Sequence, residues 1–213
     1  MHAALGDPVR LAIVDDLATS DRSPVELQHR LGIESNLLAH HLDTLERVRL
    51  IERSRSSGDG RRRYVHLRRA ALDSLGPRRH RAAGVSDTAL FVCSASSARS
   101  PLAAALWREL TGRPATPAGT HPARSVHPQA RAAAARAGLD LGDAEPTALA
   151  DVPRPPELVI TVCDRAHEEL RPKASWLHWS VPDPVAAGTK AAFDRTIEEL
   201  GERIEALVTG APR

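Results

Sequence analysis

Residues 88–101 read TALFVCSASSARSP, and this stretch decides the fold of the second half of the chain. Residues 88–92 form a short apolar run bounded by polar residues, which predicts a buried β-strand. The loop that follows leads into Ser100-Pro101, and proline suits the first turn of an α-helix. The order of strand, loop and helix predicts a βα unit.

The loop has the spacing Cys-x5-Arg, from Cys93 to Arg99. Successive N–H groups of such a loop can point inward at the positive end of the helix and bind an anion. The same field favours a thiolate, so Cys93 is a predicted nucleophile. The guanidinium of Arg99 can hold two oxygens of phosphate or arsenate. Ser100 is expected to donate to the thiolate and to cap the helix. The predicted oxyanion-binding residues are Ser94, Ala95, Ser96, Ser97, Ala98, Arg99 and Ser100.

Further features of the second half extend this prediction. The apolar run 157–162 predicts another strand, with Cys163 at its end. Asp183 follows a third predicted strand in the segment HWSVPDP, and a carboxylic acid there can protonate a leaving oxygen. Apolar residues at helical spacing from Phe193 to Leu207 predict a long amphipathic helix. Strands alternating with helices predict an α/β domain with a parallel sheet. The alternative interpretation of Cys93 and Arg99 is a buried structural cysteine beside a surface arginine. The alternative for Asp183 is a simple turn residue.

The first half has a different pattern, dominated by helix-start signals. Asp7-Pro8 and the capping box at 23–26 each begin a predicted helix. Gly32 ends the second of these helices, and a third begins near Ser35 after a three-residue turn. Two short helices joined by a tight glycine turn predict a helix-turn-helix.

A predicted hairpin follows the third helix. Residues 50–55 and 61–67 read as two strands, and a Ser/Gly/Asp cluster separates them. This hairpin would be the wing of an α+β winged helix-turn-helix domain spanning residues 1–76. Residues 77–87 have no apolar period and read as a linker, so the second domain is predicted to span 88–213.

The charge of the chain is unevenly distributed. Residues 1–86 hold 15 Arg against 11 Asp and Glu, a net charge of +4, and the rest carries −2. A polyanion such as double-stranded DNA should therefore bind the first half. The predicted DNA contacts are Ser35, Asn36, Ala39, His40 and Asp43 on the third helix and Arg53, Arg55, Arg61, Arg62 and Arg63 on the wing. His41 is expected to be half-buried. The alternative is a solvated basic hairpin in a protein-binding winged helix.

Residues 3–75 resemble the ArsR-type family of metal-sensing repressors. The matching segments are LGDPVRL at 5–11, EL at 26–27, LGI at 31–33, HLDTL at 41–45, LI at 50–51 and YVHL at 64–67. The resemblance implies a homodimer that binds a palindromic operator and is released by a ligand. Members that sense arsenite or soft metals carry cysteines in the second helix, where this chain reads Gln28-His29-Arg30. That sensing site is absent, and no metal ligands are predicted.

Residues 87–210 resemble the superfamily of low-molecular-weight protein tyrosine phosphatases and arsenate reductases. The matching segments are 93–101, 159–164 and 178–184, and the last two are nearer the reductase branch. The resemblance implies Cys93 as nucleophile, Arg99 as oxyanion binder, Asp183 as acid and Cys163 as the thiol that resolves a Cys93–arsenic adduct.

Two departures from this second family are informative. Leu170 stands where self-sufficient reductases carry a third cysteine, so the resemblance implies an external small thiol or redoxin as reductant and no bound cofactor. Ser96 stands where relatives usually have asparagine, at a position that often needs a left-handed backbone.

Together these patterns predict a DNA-binding transcriptional regulator fused to an arsenate reductase-like domain, coupling arsenic, oxyanion or thiol chemistry to gene control. The expected partners are a double-stranded DNA operator, arsenate, phosphate or arsenite, and a second copy of the chain. The chain has no signal peptide, no apolar run of about 18 residues and only two cysteines, which predicts a cytoplasmic protein without a membrane segment. The alternatives are an active low-molecular-weight phosphatase and a catalytically silent oxyanion sensor.

Overall fold

The computed structural model describes residues 2–73, 86–173 and 175–209. The chain divides into two compact units, which we describe separately. Most of the predicted linker, residues 77–85, lies outside the described residues. Among the helices that are described, none is both long enough and apolar enough to cross a membrane.

The first unit is a small helical domain with a two-stranded antiparallel sheet. Ile51 lies opposite Leu67 in this sheet, and Arg55 lies opposite Arg63. The sheet is the predicted wing. In chain order, the elements are α1 (His2–Leu5), α2 (Pro8–Leu17), α3 (Pro24–Leu31), α4 (Ser35–Arg47), β1 (Ile51–Arg55), β2 (Arg63–Leu67) and α5 (Arg69–Asp73).

The starts of α2 and α3 have the capping interactions predicted from the sequence. The Asp7 carboxylate accepts hydrogen bonds from the N–H groups of Val9 and Arg10, and the bond from Arg10 is the main cause that lowers the pKa of Asp7. Ser23 and Glu26 form the reciprocal capping box that begins α3. Gly32 ends α3 with a φ of 64°, a left-handed conformation that glycine adopts without strain. Local residues therefore set the start of α2 and both ends of α3.

The second unit is an α/β domain built on a four-stranded parallel sheet. Its strand order is β4-β3-β5-β6, so the strand that carries Cys93 is central. This confirms the predicted parallel sheet. The elements are β3 (Ala89–Cys93), α6 (Arg99–Thr111), β4 (Ala115–Gly119), α7 (Pro128–Arg136), β5 (Leu158–Thr161), α8 (Asp164–Leu170), β6 (Leu177–His178), α9 (Pro184–Ala187) and α10 (Lys190–Thr209).

A cluster of aromatic and aliphatic side chains fills the core of the second unit. Phe91 in β3 packs against Trp107 of α6 and against Trp179, with ring centroids 6.0 Å apart in each pair. Phe193 of α10 is fully buried, and α10 packs against α6. This packing fixes the end of β3 and the start of α6, the two elements that flank the Cys-x5-Arg loop.

Several elements are missing from the sequence prediction. Strand β4 reads ATPAG, which lacks the large β-branched and aromatic residues typical of strands. Helix α7 buries only alanines, namely Ala130, Ala133 and Ala134, so its apolar face is weakly marked. Helix α1 has four residues, too few to show a period.

Candidate functional site

The Cys93 loop is held by hydrogen bonds on its outer side. Four of its carbonyl oxygens accept N–H groups from residues 120–127, at distances between 2.7 and 3.1 Å. Because these carbonyls point outward, the loop presents its N–H groups to the inner side, where they form an anion-binding concavity. The four bonds run from Thr120 to Cys93, from His121 to Ser94, from Ala123 to Ala95 and from His127 to Ser97.

The Cys93 thiol lies at the base of this concavity. Its sulfur is 3.2 Å from Ser100 Oγ and accepts the N–H of Ser96 at 3.2 Å. Ser100 Oγ also lies 3.2 Å from the carbonyl oxygen of Ala118, to which it can donate instead.

The prediction that Ser100 caps the helix is wrong: α6 begins at Arg99, and Ala98 is the N-cap residue. The Ser100 hydroxyl is turned toward Cys93 and Ala118.

The loop needs an unusual backbone at Ser96 and a residue without a side chain at position 119. Ser96 has a φ of 49°, the left-handed conformation expected for this position. Its buried hydroxyl has no hydrogen-bond partner among the described residues. A Cβ at Gly119 would lie 2.7 Å from Ser94 O and 2.8 Å from Ser96 N. The strand β4 can therefore approach the loop only with glycine at its end.

Ala in place of Gly119 is expected to push the loop away from β4. Because the blocking atoms belong to the backbone, relief requires a main-chain shift that costs about 1 to 3 kcal/mol of unfolding free energy. The urea concentration at the midpoint of unfolding and the affinity for phosphate should both fall. Gly112→Ala is a matched control, because a Cβ there meets no atom within 4 Å although its φ of 67° is also left-handed. Equal stability losses in the two variants, with phosphate affinity retained, would contradict this view of the loop.

Asn in place of Ser96 is expected to stabilise the protein. Asparagine tolerates the left-handed conformation better than serine, and the gain should be about 0.5 to 1 kcal/mol in thermal or urea unfolding. Ser97→Asn, at the neighbouring loop position, controls for the added amide. A loss of stability in Ser96→Asn alone would mean that the buried space at this position cannot accept the larger side chain.

Arg99 connects the loop to the segment that carries Asp183. One nitrogen, Nη1, donates to Val181 O at 3.0 Å, and Nη2 donates to Asp183 Oδ2 at 2.9 Å. Burial by itself would lower the pKa of Arg99. Attraction to the negatively charged forms of Cys163, Asp183 and Cys93 outweighs burial and raises this pKa above its ordinary value. Asp183 also accepts the N–H of Val185 and is partly exposed. The predicted oxyanion binder and the predicted acid are therefore direct neighbours.

The second thiol borders the same loop. Cys163 is buried, and its sulfur lies 3.1 Å from Ser94 Oγ. Arg99 also interacts electrostatically with Cys163 and with Cys93. The structure thus brings together all four residues predicted for catalysis. The Ser94 side chain is a contact that sequence reasoning missed, because only the order of the strands places it against Cys163.

The part of the chain that is described contains no group of three or more His, Cys, Asp or Glu side chains arranged to hold a metal ion.

The predicted DNA-reading face lies on α4 in the first unit. Ser35, Asn36, Ala39, His40 and Asp43 are all exposed, whereas Leu38, Leu42 and Leu45 are buried. His41 is buried rather than half-buried, because its ring turns inward toward the N-cap residue Asp7, with Nδ1 3.8 Å from Oδ1.

The predicted wing arginines differ in their surroundings. Arg53 is bound to Asp43 at 2.6 Å and lies 3.6 Å from Glu46, so its guanidinium is held against α4. Arg55, Arg61, Arg62 and Arg63 are exposed.

Comparison with known families assigns both halves of the chain. The family described as low molecular weight phosphotyrosine protein phosphatase matches residues 88–211. A helix-turn-helix domain family matches residues 5–54. No curated protein matches the sequence.

Solved structures share the fold of the second unit. The tyrosine phosphatase AmsI of Erwinia amylovora is 21% identical, covers 61% of this chain and 95% of its own, and has a TM-score of 0.52. The tyrosine phosphatase Wzb of Escherichia coli K30, solved with sulphate, is 21% identical and covers 57% and 95%, with a TM-score of 0.51. An arsenate reductase in its phosphate-binding state is 23% identical and covers 57% and 96%, with a TM-score of 0.49.

Proposed function

The chain belongs, through residues 88–211, to the low molecular weight phosphotyrosine protein phosphatase family, and on this premise we propose that it is a DNA-binding regulator whose second unit reduces arsenate with Cys93 and Cys163. The observation that carries this proposal is the contact of 3.1 Å between Cys163 Sγ and Ser94 Oγ. Phosphate ester hydrolysis needs one thiol at the loop. Arsenate reduction needs a second thiol that can attack the first, and Cys163 borders the loop where such a thiol is required.

The surroundings of the loop also favour a small oxyanion over phosphotyrosine. The chain has one Tyr, two Phe and three Trp, and all are fully buried except Trp176, which is partly buried. No fully exposed Phe, Tyr or Trp ring is therefore available to stack on a tyrosyl substrate. The residues that follow Asp183 are Pro184, Val185, Ala186 and Ala187, none of which can supply such a ring.

The proposed first step forms a bond between sulfur and arsenic. The Cys93 thiolate attacks arsenic(V), and Asp183 donates a proton to the hydroxyl that leaves as water. Loop N–H groups and Arg99 hold the remaining arsenate oxygens. Arg99 is bound to Asp183 in this structure. An oxyanion would give the guanidinium a negatively charged partner besides Asp183, so Asp183 could hold the proton that it must deliver.

The proposed second step reduces arsenic. The Cys163 thiolate attacks the Cys93 sulfur, a disulfide forms, and the electron pair of the S–As bond stays on arsenic as arsenite leaves. An external small thiol or redoxin then reduces the disulfide. This chemistry fits the cytoplasm, where such thiols are kept reduced.

A comparison of substrates tests the proposed activity. With a small thiol present, wild-type protein should convert arsenate to arsenite and hydrolyse a phosphotyrosine peptide far more slowly. Fast peptide hydrolysis without arsenite would identify a phosphatase instead. Phosphate binding without either reaction would identify an oxyanion sensor.

We also propose that the first unit is an ArsR-type repressor domain that binds an operator as a homodimer and takes its signal from the second unit. The only cysteines of the chain are Cys93 and Cys163, so thiol-based sensing must use them. Operator binding should respond to arsenite in wild-type protein but not in the Cys93→Ser/Cys163→Ser double variant. A response that survives in the double variant would exclude these thiols as the sensor.

Ala in place of His40 is expected to weaken operator binding and relax base specificity. His40 is exposed on α4, and loss of a base contact costs about 1 to 3 kcal/mol in discrimination. Arg62→Ala should weaken binding to all sequences alike and lower the salt dependence by about one counterion. Fluorescence anisotropy at several salt concentrations distinguishes the two effects. His29→Ala, on the exposed side of α3, is the control. An unchanged specificity in His40→Ala would remove this residue from the reading face.

A further inference from the structure

A network of buried polar side chains begins at Asp164, the residue that follows Cys163. Asp164, His178, Thr161 and His167 are all at least nine-tenths buried. Asp164 Oδ1 is 3.2 Å from His178 Nε2, and His178 Nδ1 is 2.9 Å from Thr161 Oγ1. The same hydroxyl is 3.0 Å from His167 Nδ1, and the two imidazole rings are stacked with centroids 4.0 Å apart. None of these side chains has a role in the chemistry proposed above.

The hydrogen-bond partners of Thr161 indicate where the protons of these buried side chains lie. Thr161 Oγ1 is 3.2 Å from Leu177 O, a carbonyl oxygen that can only accept, and the arrangement that satisfies this contact directs the single hydroxyl proton there. The two lone pairs of Oγ1 then accept from the Nδ1 atoms of His167 and His178. His178 Nδ1 also lies 3.2 Å from Thr161 O, another acceptor. In this arrangement each ring carries a proton on Nδ1.

Asp164 determines the second proton of His178. Burial alone would raise the pKa of Asp164, but hydrogen bonds from His178 and Ser180 hold it below its usual range. The carboxylate is therefore ionised and can only accept, so His178 Nε2 must donate to it. In this arrangement of protons, both nitrogens of His178 are protonated, and the ring is an imidazolium buried against the Asp164 carboxylate.

This pair matters for Cys163 because Asp164 is the next residue in the chain. A buried carboxylate whose negative charge is not balanced by a neighbouring cation would oppose the formation of a thiolate beside it. We propose that His178 is a positioning residue for Cys163: by neutralising Asp164, the imidazolium keeps the second thiol available as the attacking thiolate. The use of that thiolate in reduction rests on the proposed function, but the effect of His178 on Cys163 does not.

Other charged and titratable groups lie at this corner, and every variant below retains all of them except Cys93, which is replaced by serine throughout. Arg99 interacts electrostatically with both thiols and with Asp183 and Asp164, so its positive charge favours a thiolate at Cys163. His167 is hydrogen-bonded to Thr161, which is in turn hydrogen-bonded to His178. These groups are Cys93, Arg99, His167 and Asp183, from the loop, α6, α8 and the segment before α9.

A protein with one thiol gives a direct test. In the Cys93→Ser background, Cys163 is the only cysteine, and the ultraviolet absorbance of its thiolate can be followed against pH without arsenate. Adding His178→Gln should move the titration to higher pH and reduce the thiolate fraction at neutral pH roughly tenfold. Adding Asp164→Asn to His178→Gln should restore the parent titration, because the uncompensated carboxylate is gone.

The double substitution separates electrostatics from damage to the fold. A purely structural role predicts that the second change adds to the loss, and that outcome would overturn the proposal, as would an unchanged titration in His178→Gln. His121→Gln is the control: it removes an exposed contact to Glu169 on α8 and should leave the titration unchanged.

A second measurement needs no variant at this pair. Nitrogen NMR of the native protein should show protons on both ring nitrogens of His178 at neutral pH. A single ring proton would overturn the assignment of an imidazolium, whether or not the variants fold. Because neither measurement uses arsenate, a protein that reduces no arsenate can still pass both.

Discussion

Ser in place of Cys93 is expected to eliminate arsenate turnover, lowering kcat by a factor of at least roughly 10⁴. The thiolate supplies the electron pair for the first bond to arsenic, and a serine hydroxyl in the same place remains protonated and cannot be oxidised to a disulfide. The loop amides and Arg99 remain in the variant, so phosphate affinity should change little. Arsenite production followed by mass spectrometry, together with phosphate binding by calorimetry, gives both quantities.

Cys163→Ser is the matched control for this substitution. It removes the other thiol but leaves the nucleophile, so a Cys93–arsenic adduct should still form and arsenite should appear only when a small thiol is added. If Cys163→Ser abolished adduct formation as completely as Cys93→Ser, the two thiols could not have the separate roles that we assign to them.

Lys in place of Arg99 is expected to lower kcat/KM for arsenate by roughly 10² to 10³. The charge is retained, but the planar fork that can hold two oxygens is lost. The variant also loses the pair of hydrogen bonds to Val181 and Asp183 that fixes the acid beside the loop. Steady-state kinetics with arsenate and a small thiol measures the effect.

Arg108→Lys provides the control for Arg99→Lys. Arg108 lies on the same helix, is exposed and binds the carbonyl of Ala115, so its conversion to lysine should leave kcat/KM within about twofold of wild type. Equal losses in both variants would point to damage to α6 instead of a lost oxyanion contact.

The loop could be predicted from the sequence because its signals are local. The apolar run before Cys93 predicts the strand, and the Ser-Pro pair after Arg99 predicts the helix. The six-residue spacing from Cys93 to Arg99 can be read directly from the sequence. The left-handed Ser96 was also expected from its position in the loop. Helix limits in the first unit followed from Asp7, Ser23 and Gly32 for the same reason.

Contacts that depend on strand order could not be predicted. Ser94 meets Cys163 only because β3 and β5 are neighbours in the sheet, and His178 meets Asp164 only because β6 follows β5. Gly119 ends a strand whose composition gives no β signal. The roles assigned to the oxyanion-binding, catalytic and DNA-binding residues stay predictions.

The most direct measurement is a single-turnover reaction of the fully reduced protein with arsenate, reading arsenite and free thiols together. With no added thiol, we expect arsenite equimolar with the protein, loss of both thiols and a Cys93–Cys163 disulfide in the peptide map. An arsenic adduct on Cys93 with Cys163 still free would mean that the second thiol does not resolve it. No arsenite and two intact thiols would contradict the proposed reductase and leave a phosphatase or an oxyanion sensor.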